Sequence, residues 1–110
     1  MIIDFKDIAE VRINGFKGGQ GELDTRNFTD EKVKIMKSIL NPGASSGLHT
    51  HEGNCEVMYI LKGELTYHYD GKTEVAHAGQ VHYCPMNHNH YFENLTTEDA
   101  EYLAIVPEHH

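Results

Sequence analysis

The sequence has little of several features that would place it in a specialised class. Its two cysteines, Cys55 and Cys84, are too few for a secreted module held together by disulfides. Its longest apolar runs fall far short of the roughly 20 residues that a membrane-spanning helix needs. The first ten residues include four charged side chains and do not resemble a secretory signal peptide. These absences predict a cytoplasmic protein without a membrane segment.

Basic residues are also scarce. Nine lysines and arginines stand against seventeen aspartates and glutamates, which gives a formal net charge of −8. Nucleic-acid binding depends on a surplus of positive charge that neutralises phosphates, so this balance predicts that no nucleic acid is bound. With 110 residues the chain has material for one core, and we predict a single domain over residues 1–110.

Glycine and asparagine interrupt the chain at short intervals, and the runs between them have the length of β-strands. β-Branched and aromatic side chains concentrate in residues 33–40, 56–61, 65–69, 81–84 and 102–106. Asp70 and Gly71 have the composition of a tight hairpin turn. We expect helical turns only over residues 5–11 and 29–34. Many short strands without intervening helices predict an all-β sandwich or barrel.

The N-terminal thirty residues show no clean periodicity. Their glycine-rich segment, residues 18–21, lacks the strand–turn–helix context and the Lys-Ser/Thr pair of a phosphate-binding loop. It therefore predicts a turn or a close approach between two backbone segments.

Histidine, in contrast to these scarce residue types, is abundant. The chain has nine histidines and no tryptophan, and seven of the histidines fall between positions 49 and 90. The remaining two, His109 and His110, match the start of a purification tag and receive no role. The clustering of these seven histidines requires an explanation.

His49 and His51 stand two residues apart, so on an extended strand both imidazoles point to the same face. Glu56 follows after a short loop and can add a carboxylate, while His90 would come from another strand. Imidazole and carboxylate together suit a divalent transition metal, and the lack of a thiolate disfavours a purely structural zinc site.

Glycine, proline and asparagine stand at regular places around these candidate ligands and form two motifs, residues 43–63 and 79–94. Along the chain the motif positions are Gly43, His49, His51, Glu56, Gly63, Gly79, Pro85, His90 and Asn94. The two motifs resemble the signature motifs of the cupin superfamily, with the short separation typical of small bacterial members. One position departs, because the family pattern has glycine where this chain has Asn87. Asparagine tolerates the left-handed conformation better than other residues with a Cβ, so the turn can survive.

The resemblance implies a fold, a metal and a set of ligands. The fold would be the cupin double-stranded β-helix, an all-β jelly-roll barrel. One divalent ion per chain (Fe, Mn, Ni, Co, Cu or Zn) would be held inside the barrel by His49, His51, Glu56 and His90. The physical argument agrees, because ligands from two non-adjacent strands meet only in a closed fold.

The resemblance also implies how the chain is organised and assembled. Residues 43–94 would form the barrel core that carries both motifs. Small cupins commonly pair through their N-terminal strands, so residues 1–30 are expected at the interface of a homodimer.

Other side chains are weaker candidates for the site. Tyr67 and His82 are candidates for a catalytic acid or base, with a purely structural role as the alternative. The candidates for a substrate pocket are Met58, Ile60, His68 and His88. Met58 and Ile60 share strand parity with Glu56, and the alternative for both is a purely structural place in the barrel core. His88 falls in a predicted turn, and its alternative is exposure to solvent.

Four protein ligands would leave positions open at the metal for water, dioxygen or a chelating substrate. This predicts a metalloenzyme that acts on a small oxygen-rich molecule, either as an oxygenase or as an isomerase or lyase. The competing hypothesis is a stand-alone protein that binds a small molecule without turning it over. The sequence names neither the metal nor the reaction.

Overall fold

In the computed structural model, which describes residues 1–109, the chain forms ten β-strands. They are β1 (Val11–Asn14), β2 (Glu22–Thr29), β3 (Val33–Leu40), β4 (His49–Thr50), β5 (Glu56–Lys62), β6 (Glu64–Tyr69), β7 (Lys72–His77), β8 (Val81–Cys84), β9 (Asn89–Glu93) and β10 (Ala100–Pro107). Two short 3-10 turns, Phe5–Asp7 and Phe16–Gly18, are the helical segments of this range. Neither has the length or the hydropathy to cross a membrane. His110, which has no predicted role, lies outside the described residues.

The five predicted strands are confirmed as β3, β5, β6, β8 and β10, with bounds that differ by at most two residues at either end. β5 shows the pattern that makes them strands. Glu56, Met58 and Ile60 are buried, while Tyr59 and Leu61 between and after them are exposed. This alternation is what a strand with one face on the core requires.

The strands form two antiparallel sheets. One has six strands in the order β1-β2-β3-β10-β5-β8, and the other has four in the order β4-β9-β6-β7. A single apolar cluster draws buried residues from both sheets, including Leu40 and Ile60 from the first and Leu65 and Phe92 from the second. The two sheets therefore enclose a common core, and the predicted jelly-roll barrel is confirmed.

The predicted helical turn at residues 29–34 is wrong, and the one near residues 5–11 is reduced to Phe5–Asp7. β2 ends at Thr29, and β3 begins four residues later. Between them, the Asp30 carboxylate accepts hydrogen bonds from the backbone N–H groups of Lys32 and Val33, at 3.0 Å or less. Such side-chain bonds stabilise a turn in competition with a helix, and here the two strands pair directly.

Two turn predictions are confirmed by backbone angles. Asp70 and Gly71 have φ values of 49° and 75°, and two consecutive positive values are what the tight hairpin between β6 and β7 needs. Asn87 has a φ of 70°, so it adopts the left-handed conformation that the resemblance assigns to this position.

The segment that was hardest to interpret from sequence is a close backbone approach. Residues 15–21, here called the glycine loop, connect β1 to β2 and lie against residues 44–47. A Cβ atom on Gly19 would lie 2.1 Å from the carbonyl oxygen of Ser45, so only glycine fits there. The contact joins the N-terminal part of the chain to the residues that lead into β4.

Candidate metal centre

His49, His51, Glu56 and His90 converge between the two sheets. His49 on β4 lies directly opposite His90 on β9, and His51 follows one residue after β4 ends. Glu56 is the first residue of β5, in the other sheet. The sequence predicts ligands from two non-adjacent strands; β4 and β9 are instead hydrogen-bonded neighbours, although they are distant in sequence, and the six-stranded sheet supplies the carboxylate.

The candidate ligand atoms are close enough to share one ion. His90 Nε2 lies 2.9 Å from His49 Nε2, 3.1 Å from His51 Nε2 and 2.9 Å from Glu56 Oε1. The same carboxylate oxygen is 3.2 Å from His51 Nε2 and 3.9 Å from His49 Nε2. Ligands at right angles around one ion, with bonds of about 2.1 Å, lie about 3.0 Å apart. Most of the observed separations are therefore those of neighbouring ligands on a single ion.

Two of the imidazoles are oriented by hydrogen bonds on their far side. His49 Nδ1 lies 2.9 Å from the carbonyl oxygen of Gly47, and His51 Nδ1 lies 2.7 Å from Asn54 Oδ1. Both partners are acceptors, so each Nδ1 carries the proton and donates it. Each neutral ring then presents the lone pair of Nε2 to the centre of the cluster, as a metal ligand does.

The centre of the cluster has more hydrogen-bond acceptors than protons. His49 and His51 offer lone pairs, Glu56 offers a carboxylate oxygen, and only a proton on His90 Nε2 remains to serve all three. Glu56 Oε1 is buried without a well-aligned hydrogen-bond donor, and His90 Nδ1 has no partner among the described residues. Converging acceptors repel one another unless a cation lies between them. The donor set therefore fits a divalent metal ion.

The electrostatics favour the metal-binding form of Glu56 and His90. Burial alone would raise the pKa of Glu56, but the three facing imidazoles outweigh it and hold the pKa well below the ordinary range. Burial lowers the pKa of His90 despite the attraction of Glu56. Burial would also lower the pKa of His51, but the interactions with Glu56 and Asn54 raise it. The carboxylate is thus ionised, and His51 is a group at which a proton competes with a metal.

A cavity of about 310 Å³ opens beside the cluster. Its walls come from the glycine loop, from β2, β3 and β10, and from the segment around the histidine pair. Besides His49, His51 and Glu56, the lining residues are Phe16, Lys17, Asn27, Thr29, Lys34, Met36, Thr50, Glu52, Asn54 and Val106. The cluster therefore has one side that a small molecule can approach.

Four of the weaker candidates lie in the interior but do not line this cavity. Tyr67 is fully buried and stacks on His82, with ring centres 3.8 Å apart and planes within 2° of parallel. Its hydroxyl lies 3.4 Å from the sulfur of Met58, which belongs to the apolar core together with Ile60. Burial lowers the pKa of His82, and its Nδ1 has no partner in the described part of the chain.

The structure does not bring His68 and His88 to the cavity. His68 lies next to the buried Tyr67 on β6 and pairs with Glu93, with 2.6 Å between Nε2 and the carboxylate. His88 lies in the turn before β9 and pairs with Asp70 at 2.7 Å. Strand parity turns the first outward, and the turn places the second on the surface.

Sequence reasoning missed most of the cavity wall. Val106 shares parity with the buried Tyr102 and Ala104, so the alternation of β10 could have revealed it. Asn54 could have been found as a polar residue in the short loop between His51 and the carboxylate. No local signal marks Lys17, because its place depends on how the glycine loop docks.

Comparison with known proteins agrees with this geometry. Residues 36–106 match the cupin domain. The oxalate-binding protein of Thermotoga maritima is 34% identical over 112 residues, covering 96% of this chain and 93% of that protein. The oxalate decarboxylase OxdC of Bacillus subtilis is 31% identical over 93 residues, which is 79% of this chain but 24% of the decarboxylase. The crystal structure of a predicted oxalate decarboxylase from Thermotoga maritima has a TM-score of 0.91 and 33% identity, covering 98% of this chain and 99% of that chain.

The family match spans more than half of the chain and includes all four residues of the cluster. The fold places those residues within reach of one ion, in a jelly roll whose similarity to a solved structure extends over almost the whole chain. The chain belongs to the cupin family.

Proposed function

We propose that this cupin holds one divalent metal ion with His49, His51, Glu56 and His90 and uses it to bind a small dicarboxylate such as oxalate. The observation that supports it best is the convergence of acceptor atoms with at most one proton between them. Three imidazoles and a carboxylate suit Fe, Mn, Ni, Co, Cu or Zn in the divalent state. A bound ion would supply the positive charge that polarises and orients a chelating anion.

The surrounding residues prepare the site for that role. The backbone of Gly47 and the amide of Asn54 hold two imidazoles with their lone pairs inward. Met36 and Val106 contribute apolar wall to the cavity, which limits water and strengthens the charge interactions inside it. These contacts orient the ligands before an ion or an anion arrives.

The ligand class is supported by the names of two relatives and by the size of the cavity. Both the binding protein and the decarboxylase described above are named for oxalate. A volume of about 310 Å³ lies at the lower end of the range of about 300–1,000 Å³ for small-molecule sites. A compact dianion that reaches the ion through its oxygens is consistent with such a cavity.

Catalytic turnover is the second candidate. It is favoured by the 31% identity to an oxalate decarboxylase and by Glu52, an acidic residue that lines the cavity. Decarboxylation would break the carbon–carbon bond of hydrogen oxalate and give carbon dioxide and formate, with the proton ending on the formate carbon. This is a lyase reaction, one of the classes expected from an open metal site. Oxygenase and isomerase chemistry lack comparable support from the relatives reported above.

The test begins with metal analysis of protein purified without chelators. We expect about one equivalent of a divalent transition metal and one-to-one calorimetric binding of oxalate that disappears when the metal is stripped. Glu56→Gln keeps the shape of the side chain and removes its charge, so it should fail to hold the metal. Protein that takes up none of the six ions contradicts the metal centre. Metal-loaded protein that does not bind oxalate contradicts the proposed ligand.

The same loaded sample separates binding from turnover. Release of formate and carbon dioxide at a steady rate would support the decarboxylase, whereas tight binding without product would support a binding protein. An oxygen electrode on the same sample tests for oxygenase chemistry.

We also propose that the chain forms a homodimer through the outer face of the six-stranded sheet. Five adjacent strands each contribute one outward apolar residue to a continuous row: Phe28, Ile35, Ile105, Val57 and Tyr83. Met1 and Ile2, at the start of the predicted N-terminal interface, are almost fully exposed. Burying such surface against a second copy favours association.

Sedimentation at micromolar concentration tests the dimer. Tyr83→Lys places a charge in the apolar row and should shift the protein to the mass of a monomer, whereas Glu64→Lys on the other sheet should not. A wild-type protein that sediments as a monomer contradicts the proposal.

A further inference from the structure

The wall of the cavity includes two lysines, on a chain that is strongly acidic overall. Lys17 and Lys34 both line it, against Glu52 and the ligand Glu56. Within residues 1–109 neither lysine forms a salt bridge, although Lys37 and Arg12 do. Two lysines without a salt bridge therefore line the cavity that an anion would enter, on a molecule of formal charge −8 that otherwise repels anions.

Lys17 occupies a backbone conformation that disfavours a side chain. Its φ and ψ of 52° and 32° lie in the left-handed region. The other left-handed positions of the glycine loop are Gly15, Gly18 and Gly21, which have no Cβ to strain. A lysine in this conformation is destabilised relative to glycine, and unlike aspartate or asparagine it gains no local hydrogen bond in return. Its presence there indicates that the side chain itself is needed.

The glycine loop fixes where that side chain begins. The carbonyl oxygen of Phe16 accepts hydrogen bonds from Gly47 and Gly19, each at 2.9 Å. A Cβ atom on Gly47 would lie 1.8 Å from the carbonyl oxygen of Lys17, so the two backbones are in direct contact. The ammonium of Lys17 lies 5.5 Å from the centre of the Phe16 ring, within the range of a cation–π interaction.

We propose that Lys17 selects the anion that the cavity admits. Its ammonium pairs with the carboxylate of the ligand that points to the cavity mouth, while the other carboxylate reaches the ion held by the cluster. Lys34, on the same wall, adds positive charge to the entrance. The assignment rests on the proposed binding of a small dicarboxylate, and it predicts preference for ligands with two acidic groups over ligands with one.

The test compares Lys17→Met with the wild type in the manganese(II)-loaded form, using oxalate and formate as probes. Loss of a charge-assisted hydrogen bond should weaken oxalate binding about 10-fold in calorimetry, with a smaller loss for formate, which has no second carboxylate. Manganese affinity should not change. Lys72→Met, an exposed lysine on β7 outside the cavity, removes the same charge and should leave oxalate affinity unaltered.

A second variant separates binding from folding. Lys17→Gly removes the side chain and also releases the strained conformation, so its thermal midpoint should be equal to or above that of the wild type. Its oxalate affinity should nonetheless fall as in Lys17→Met. Lys17→Arg should retain most of the affinity, because it keeps the charge.

Each outcome has one meaning. If manganese-loaded wild type binds oxalate and Lys17→Met binds it equally well, the role of Lys17 is wrong and the proposed function stands. If Lys17→Met also loses manganese, the residue supports the cluster and does not select the anion. If the loaded wild type does not bind oxalate, the proposed function fails and the role of Lys17 fails with it.

Discussion

The seven histidines between positions 49 and 90 separate into two groups that look alike in sequence. Four, here called the inner histidines, are His49, His51, His82 and His90, with side chains at most 13% exposed. Three, the outer histidines, are His68, His77 and His88, with side chains 29–61% exposed. Each outer histidine pairs with its own carboxylate at the surface, whereas three inner ones share a single carboxylate inside the barrel.

The difference comes from strand parity and from where turns fall. On β8, His82 points inward and its neighbour Tyr83 points outward, whereas on β6 the inward residue is Tyr67 and the outward one is His68. A shift of one residue exchanges the two faces. Clustering of histidines along the chain is therefore a weak guide to function, and convergence of their ring nitrogens in space is the informative property.

Removing an inner ligand should produce the largest effect. We expect His51→Ala to lose stoichiometric metal and remain folded, because the apolar core spans both sheets and does not depend on the ion. His77→Ala, at the surface, should keep its metal. Elemental analysis and circular dichroism check both. An unfolded His51→Ala protein would show that the ion is structural, and a loaded one would show that His51 is not a ligand.

Acid should release the ion by protonating the inner histidines, and the outer histidines should have no part in this release. Each imidazole must be deprotonated to bind a metal, and the raised pKa of His51 places the first competing proton above the ordinary value of about 6.5. Metal affinity should therefore fall from near neutral pH downward and be largely lost below about pH 5. Titration with a metal-sensitive dye measures it. A stoichiometric complex at pH 4.5 would contradict the assignment, and His88→Ala should leave the profile unchanged.

Asn54→Ala tests a residue that contacts a candidate ligand, His51, and does not belong to the cluster itself. Without the acceptor at Nδ1, His51 can adopt the tautomer whose proton blocks the metal. Loss of such a partner typically lowers metal affinity about 10–100-fold. Competition with a chelator of known affinity measures the change. Removing Asp70, the surface partner of His88, should have no effect on metal affinity. An equal loss of affinity in that variant would contradict the distinction between inner and outer histidines.

His82 is the inner histidine without a place in the cluster, and its contribution should appear as acid sensitivity. Burial lowers its pKa, so in the pH range just below 6.5 the unfolded chain takes up a proton that the folded one refuses. Stability is then lost as pH falls, by up to about 1.4 kcal/mol per pH unit for this group. His82→Phe should lose that part of the slope in urea unfolding of metal-free protein between pH 7.5 and 5. His77→Phe should keep it.

The smallest effect is expected at the outer histidines. His68→Ala removes a partly exposed ion pair with Glu93 and a stacking contact with Tyr91. Such surface pairs typically contribute about 0–1 kcal/mol to the free energy of unfolding. Urea unfolding should show a change within that range, with full metal content. A larger loss of stability would show that His68 belongs to a structural network, which its outward position on β6 does not predict.

The sequence predicts the barrel and the cluster well, because both follow from periodic or repeated features. The alternation in β5 sets Glu56, Met58 and Ile60 on one face, and glycines and asparagines mark the turns. The candidate ligands lie within two motifs whose spacing resembles a family pattern. For all of these, short stretches of chain carry the information.

The cavity mouth could not be predicted in this way. Lys17 reaches it because Gly19 and Gly47 permit two distant backbone segments to touch, and no local pattern encodes such a contact. For His68, by contrast, the alternation of Leu65, Tyr67 and Tyr69 with Thr66 and His68 along β6 is enough to place the side chain outward.

Gly47 bonds in two directions. Its N–H donates to the carbonyl of Phe16 in the glycine loop, and its own carbonyl accepts from His49. An anion that paired with Lys17 as proposed would steady the glycine loop and, through Gly47, that imidazole, so the anion and the ion would bind with a coupling free energy. Such coupling is reciprocal: the factor by which the anion tightens the ion is the factor by which the ion tightens the anion. The supply of the small anion, as well as the supply of metal, would then set how much of the protein is loaded.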